Sequence, residues 1–153
     1  MQDSGGRRIK RALIISQKSI GFLSDDDVAA LEKIELITPY ISTRNSQIKE
    51  YNSKNNANKD LAINGRNLTN IGVFRKYISV YLENHSAINK GMTLMVRQLA
   101  PTPQGIPLEI YAFSADKRWE NYEYVIADIF DHLIAALPFF KLKAFELPTA
   151  LEV

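Results

Sequence analysis

The chain has 153 residues, a length suited to one domain with its own core. Hydrophobic residues make up 46% and charged residues 24%, as in ordinary globular proteins, and a formal net charge of +2 is too small to argue alone for a nucleic-acid or membrane-surface partner. Cysteine is absent, which excludes disulfides, cysteine metal sites and thiol nucleophiles and fits an intracellular setting.

No stretch offers the roughly 20 apolar residues of a spanning helix; the longest apolar run, Leu133–Phe140, is interrupted by Pro138. No signal-peptide pattern follows Arg7 and Arg8. The expectation is a soluble cytoplasmic domain.

Arg8–Ser16 reads as a first strand, ending in the β-favouring run Ala-Leu-Ile-Ile. Ser24 then opens a helix. Its hydroxyl suits the N-cap, Asp25, Asp26 and Asp27 suit the positive end of the helix dipole, and Ser-x-x-Asp is a capping-box variant. Val28, Leu31 and Ile34 form an apolar stripe, and Pro39 is expected to close the element. Arg44–Asp60 is rich in Asn, Lys and Ser and poor in apolar residues. It is expected to be a mobile surface segment within an insertion spanning about 24–66.

A second helix is predicted from about Ile71 to Asn84, where Phe74, Tyr77, Ile78, Tyr81 and Leu82 line one face. Strands follow at Met92–Leu99 and Pro107–Phe113, joined by a turn-forming stretch too short for a crossover helix, so a hairpin is expected. Alternation puts Leu108 and Ile110 on one face and Glu109, Tyr111 and Phe113 on the other. The last helix, about Asp116–Leu137, carries the stripe Trp119, Tyr122, Ile126, Ile129, Phe130, Leu133 and Leu137, and Pro138 ends it. Leu142–Leu147 is expected to be a closing strand. This order predicts a single α+β domain, a ferredoxin-like split βαβ sandwich with an inserted helix and an Asn/Lys-rich loop after the first strand.

Charge is uneven along the chain. Arg7, Arg8, Lys10, Arg11 and Lys18 face Asp3 alone in the first 24 residues, while Glu109–Asp131 leans acidic. These are either solvated surfaces or a basic strand that meets the acidic surface of a neighbouring subunit. Catalytic and metal signals are weak. Asp128 and His132 are four apart and share a helix face, half a metal site or an acid–base pair at most, with no third ligand at metal spacing. Ser16, Ser19 and Ser114 lack an activating histidine nearby, and Gly65 and Gly72 do not form a phosphate-binding loop. No catalytic, metal or cofactor residue is assigned. The same strand order builds RNA-binding modules, and Tyr111 and Phe113 share a strand face with Arg97 on the neighbouring strand. Against RNA stands Glu109, a carboxylate on that same face.

Four stretches carry a family likeness: Thr69-Asn-Ile-Gly-Val-Phe-Arg, Met92-Thr-Leu-Met-Val-Arg-Gln-Leu-Ala-Pro, Gly105-Ile-Pro-Leu-Glu-Ile-Tyr-Ala-Phe and Ala127-Asp-Ile-Phe-Asp-His-Leu. They resemble the C-terminal domain of MscS-family mechanosensitive ion channels, in the YbdG-type miniconductance branch. Ser4-Gly-Gly-Arg-Arg-Ile-Lys-Arg resembles the junction where that family's β-domain passes into its α/β domain. The resemblance implies the tail of a membrane-embedded channel at the cytoplasmic face of the bacterial inner membrane. Its transmembrane helices would open under tension and relieve osmotic stress. The cytoplasmic domains would form a homo-oligomeric cage, a heptamer, with no catalytic residues, cofactor, nucleic acid or small-molecule substrate. Candidate interface or vestibule residues are Arg7, Arg8, Lys10, Arg11, Tyr111 and Phe113. Lys49, Lys54 and Lys59 are expected on a modulatory loop. An RNA-binding domain and a small-ligand regulatory domain are the alternatives.

Overall fold

A computed structural model describes residues 5–147. In chain order they form β1 (Arg7–Ile15), α1 (Asp25–Leu31), α2 (Thr38–Lys54), α3 (Asn70–Glu83), β2 (Met95–Gln98), β3 (Ile106–Ser114) and α4 (Trp119–Ala136), with short 3-10 turns before α1, before α2 and after α4. The sheet runs β1-β3-β2 and both pairings are antiparallel. Strands β1 and β2 therefore point the same way with β3 between them. This is a mixed α+β fold around a three-stranded antiparallel sheet.

Alternation splits the sheet into two unlike faces. Ile9, Leu13 and Ile15 of β1 lie opposite Ala112, Leu108 and Ile106 of β3, and all six are buried in one core with Phe74 and Ile78 of α3 and Ile129 and Leu133 of α4. Arg8, Lys10, Ala12 and Ile14 alternate onto the other face, opposite Phe113, Tyr111, Glu109 and Pro107. The β2–β3 turn is held close to β1. Gly105 has φ +146, and a Cβ there would sit 2.3 Å from the Ile15 carbonyl oxygen, so only glycine fits.

The helix starts follow local chemistry. Ser24 accepts from Asp27 N–H while the Asp27 carboxylate accepts from Ser24 N–H, a complete capping box. Thr69 caps α3 through Gly72 N–H. Ile126, Ile129, Phe130 and Leu133 bury the inner side of α4, and Pro138 falls in the 3-10 turn that ends it. Trp119, expected in this stripe, is 65% exposed, because it is the first residue of α4 and burial begins beyond it.

Three sequence expectations are corrected. Pro39 does not close a helix; α1 already ends at Leu31, and Pro39 lies in the first turn of α2, where its missing N–H costs nothing. The segment expected to be a loop over Arg44–Asp60 is helical as far as Lys54. Ile41 and Ile48 are the buried residues of α2, and of these Ile48 falls within the segment whose composition argued for a loop. Leu142–Leu147 is not a strand of the sheet. It meets β1 at a single bridge between Ala144 and Ile15, with Ser16 N–H on the Lys143 carbonyl and Phe145 N–H on the Ile14 carbonyl, both at 2.8 Å. Only Leu142 in this segment is buried, and Leu147 is exposed, so little apolar surface holds a longer pairing in register.

One buried polar side chain ties three segments together. Asn70 is 4% exposed; its Oδ1 accepts from Gly21 N–H at 3.0 Å, and its Nδ2 donates to the Ser19 carbonyl at 2.9 Å and the Lys141 carbonyl at 3.4 Å. Asn70→Ala leaves these backbone groups without their partner and is expected to cost about 2 kcal/mol, read from the midpoint of urea unfolding. A second tie joins α1 to the chain after α4, where Lys141 Nζ lies 2.5 Å from Asp27 Oδ1. The hydrogen bond from Lys141, followed by that from Ser24 N–H, holds the Asp27 carboxyl below its usual range. A lowered folded-state pKa stabilises the fold above the unfolded value of about 3.9 and loses that contribution as pH falls through the folded value. Asp27→Asn should therefore cost about 1 kcal/mol at pH 7 and converge with the wild type in strong acid; urea titrations across pH check this.

Candidate interaction face

The sheet face turned away from the helices gathers four of the six interface residues expected from the sequence. Arg8 lies opposite Phe113 and Lys10 opposite Tyr111, with Met95 of β2 on the far side of Tyr111. Arg8 and Lys10 are exposed and the two rings half-buried. The rings meet edge-on, with centroids 5.8 Å apart at 85°. Arg7 and Arg11 alternate to the helix side instead. The Arg7 guanidinium lies 4.1 Å from the Tyr122 ring centroid, and Arg11 lies 5.7 Å from that of Phe130. Tyr122 Oη also donates to the Arg8 carbonyl. These two arginines fasten α4 along β1 and do not join the candidate face.

Glu109 does lie on this face, but it is not a free carboxylate. It is 6% exposed, and Arg97, its cross-strand neighbour, donates to Oε1 from Nε at 3.0 Å and Nη2 at 2.5 Å. The face therefore presents two cations and two rings around a neutralised centre. The sequence signal for this pairing is the position of Arg97 opposite an acidic residue of the neighbouring central strand.

The histidines pair differently from their spacing. Asp128 shares its helix face with His132 but receives His85 Nε2 at 3.0 Å. Ala87 N–H donates to His85 Nδ1, which assigns the ring proton to Nε2, facing Asp128. His132 Nε2 sits 2.6 Å from Tyr77 Oη, and its ring stacks on Tyr81 at 4.2 Å and 3°. Burial raises the hydroxyl pKa of both tyrosines. Among the described residues no three His, Asp or Glu side chains converge as a metal site would require. Beside this stack lies a shallow apolar hollow of about 280 Å³, walled by Tyr77, His132, Ala135 and Phe139 among others.

The three lysines assigned to a modulatory loop occupy different settings. Lys49 is exposed on α2, and Lys54 pairs with Glu50 at 3.4 Å one turn back. Lys59 is structural: its Nζ donates to the carbonyls of Ala62, Asn64 and Arg66. Asn52 closes the same loop by accepting from Arg66 N–H and donating to the Arg66 carbonyl.

No family model matches the chain. Among the described residues no helix is long and apolar enough to cross a membrane.

The Arg97–Glu109 pair makes a direct prediction. Arg97→Met strands a buried carboxylate and is expected to destabilise by about 2 kcal/mol, whereas Arg97→Met with Glu109→Gln recovers part of the loss; a double-mutant cycle by urea unfolding measures the coupling.

Proposed function

We propose that this chain is the cytoplasmic assembly and vestibule domain of a mechanosensitive ion channel of the MscS family, in the miniconductance branch. It would act without catalysis or a cofactor, as one subunit of a homo-oligomeric, sevenfold cage beneath a bacterial inner-membrane pore. The observation that carries this reading is where the family-like stretches fall. Residues 69–75 cap and begin α3, 92–101 span β2, 105–113 form most of β3, and 127–133 lie on the core of α4. They fall on two of the three strands, on the start of α3 and on the middle of α4, while β1 lies outside these four stretches. The stretch at about 24–66, which looks inserted relative to shorter relatives, supplies α1 and α2 instead.

The topology is compatible with this reading. Strands β1 and β2 flank β3 in the manner of a ferredoxin-like split βαβ unit, and the bridge at Ala144 occupies the outer edge of β1, where a fourth strand of that fold would pair. A channel subunit needs a domain that presents repeated surfaces around a ring, since each charge is multiplied by the symmetry.

A second reading, single-stranded RNA binding, is favoured by one observation. The carboxylate that argued against it is buried against Arg97, leaving Tyr111, Phe113, Arg8 and Lys10 as a possible stacking surface.

The channel reading is tested with the full-length parent gene. Expressed in cells stripped of their own stretch-activated channels, it is expected to yield tension-gated currents in membrane patches. An upstream reading frame without hydrophobic helices, or silent patches despite membrane expression, would end the proposal. The modulatory role of the insertion is tested in the same recordings with Lys49→Gln and Lys54→Gln. Deleting the segment would also remove the buried Ile48. An unchanged tension threshold and inactivation would remove that role.

A further inference from the structure

Two surfaces carry charge that the described residues do not answer. The first is the open sheet face, where Arg8 and Lys10 are exposed and form no ion pair. The second is the outer side of α4. From Trp119 to Phe140 the chain holds Glu120, Glu123, Asp128 and Asp131 and no lysine or arginine. Asp128 is engaged by His85, whereas Glu120, Glu123 and Asp131 are exposed and pair with no cation.

The arrangement on α4 is ordered. Glu120, Tyr124, Ala127, Asp131 and Ile134 follow spacings of four, three, four and three, which align them as one strip. The strip lies opposite the buried side made by Ile126, Ile129 and Leu133, and on it Tyr124 is 70% and Ile134 50% exposed. An acidic strip with exposed apolar residues between its charges is unusual for a helix face meant only for water. The basic sheet face has the complementary composition, two cations beside two half-buried rings.

These surfaces lie on opposite sides of the molecule, because α3 and α4 cover the sheet face that Tyr111 and Phe113 turn away from. A contact between them cannot be two-fold symmetric. Each copy would give its sheet face to one neighbour and its α4 strip to the other, and such a head-to-tail contact closes into a ring when the rotation per step permits.

We infer that the open sheet face of one copy docks on the outer strip of α4 of a second copy, with Arg8 and Lys10 against Glu120 and Asp131 and with Tyr124 against the Tyr111–Phe113 shelf. This rests on the assembly role proposed above for the same face and names its partner surface.

The test is sedimentation of the 153-residue chain over a concentration series at about 50 mM and about 500 mM salt. Self-association that weakens with salt is expected. Arg8→Glu with Lys10→Glu should weaken it roughly tenfold or more, and so should Glu120→Lys with Asp131→Lys. Circular dichroism checks that each variant is folded. Mixing the two variants, or combining all four substitutions in one chain, should restore association, which a folding defect would not. A chain that stays monomeric at every concentration overturns the inference, as does association indifferent to both pairs or not restored by mixing. Binding of a labelled uridine oligonucleotide, lost with the β1 substitutions but not with the α4 ones, in a chain that does not self-associate, would overturn it in favour of RNA. None of these failures removes tension-gated currents from the full-length parent, and silent patches with the contact intact would end the channel reading alone.

Discussion

The antiparallel register of β3 with both neighbours is the constraint on which the rest depends. Its alternation sends Leu108, Ile110 and Ala112 toward the helices and Glu109, Tyr111 and Phe113 away from them. A slip of one residue would exchange these sets, burying two aromatic rings and a carboxylate while exposing the aliphatic core. Gly105 guards the register at the turn, where the Ile15 carbonyl leaves no space for a side chain. The Arg97–Glu109 pair guards it on the open face, since only this register sets the guanidinium across from the carboxylate. Core and open face are thus two consequences of one pairing.

The ends of the elements are held by polar contacts between segments far apart in sequence. Asn70 joins the turn after β1 to the start of α3 and the chain after α4, while Asp27 joins α1 to Lys141. Arg7 and Tyr122 join the start of β1 to α4. Individually these contacts are modest. Their value is in position, because hydrophobic burial is non-directional and leaves the ends of a short strand or helix free to fray. The Asn70 amide is internal to the fold, so the helix start it belongs to has a structural task before any ligand is considered.

The inserted region shows how composition and structure part company. The Asn, Lys and Ser content of 44–60 argued for a segment without order, yet most of it is the second half of α2. Two buried isoleucines, Ile41 and Ile48, give α2 an inner side, and α1 is among the elements it meets. Beyond the helix, Lys59 gathers carbonyls of the loop, and Asn52 of α2 binds the amide and carbonyl of Arg66. The polar residues that lowered the apparent foldability of the segment are the ones that knot it. The basic cluster of β1 is likewise split by the fold: Arg7 and Arg11 lie against rings of α4, while Arg8 and Lys10 stay exposed on the other sheet face.

Where chemistry is local, residue order was enough. The capping box at Ser24, the alternation along β3, the buried stripe of α4 beyond its first residue and the stop at Pro138 all rest on neighbours within a few positions, so sequence by itself determined the α+β class and the two sheet faces. Where partners come from distant segments, residue order was silent. It did not reveal that Glu109 is neutralised by Arg97, that His85 and not His132 takes Asp128, that Asn70 is a buried tie, or that Leu142–Leu147 pairs by one bridge alone. Those outcomes required the sheet and helices to be packed together, because a side chain's partner is set by the surface it is pressed against and not by its place in the chain.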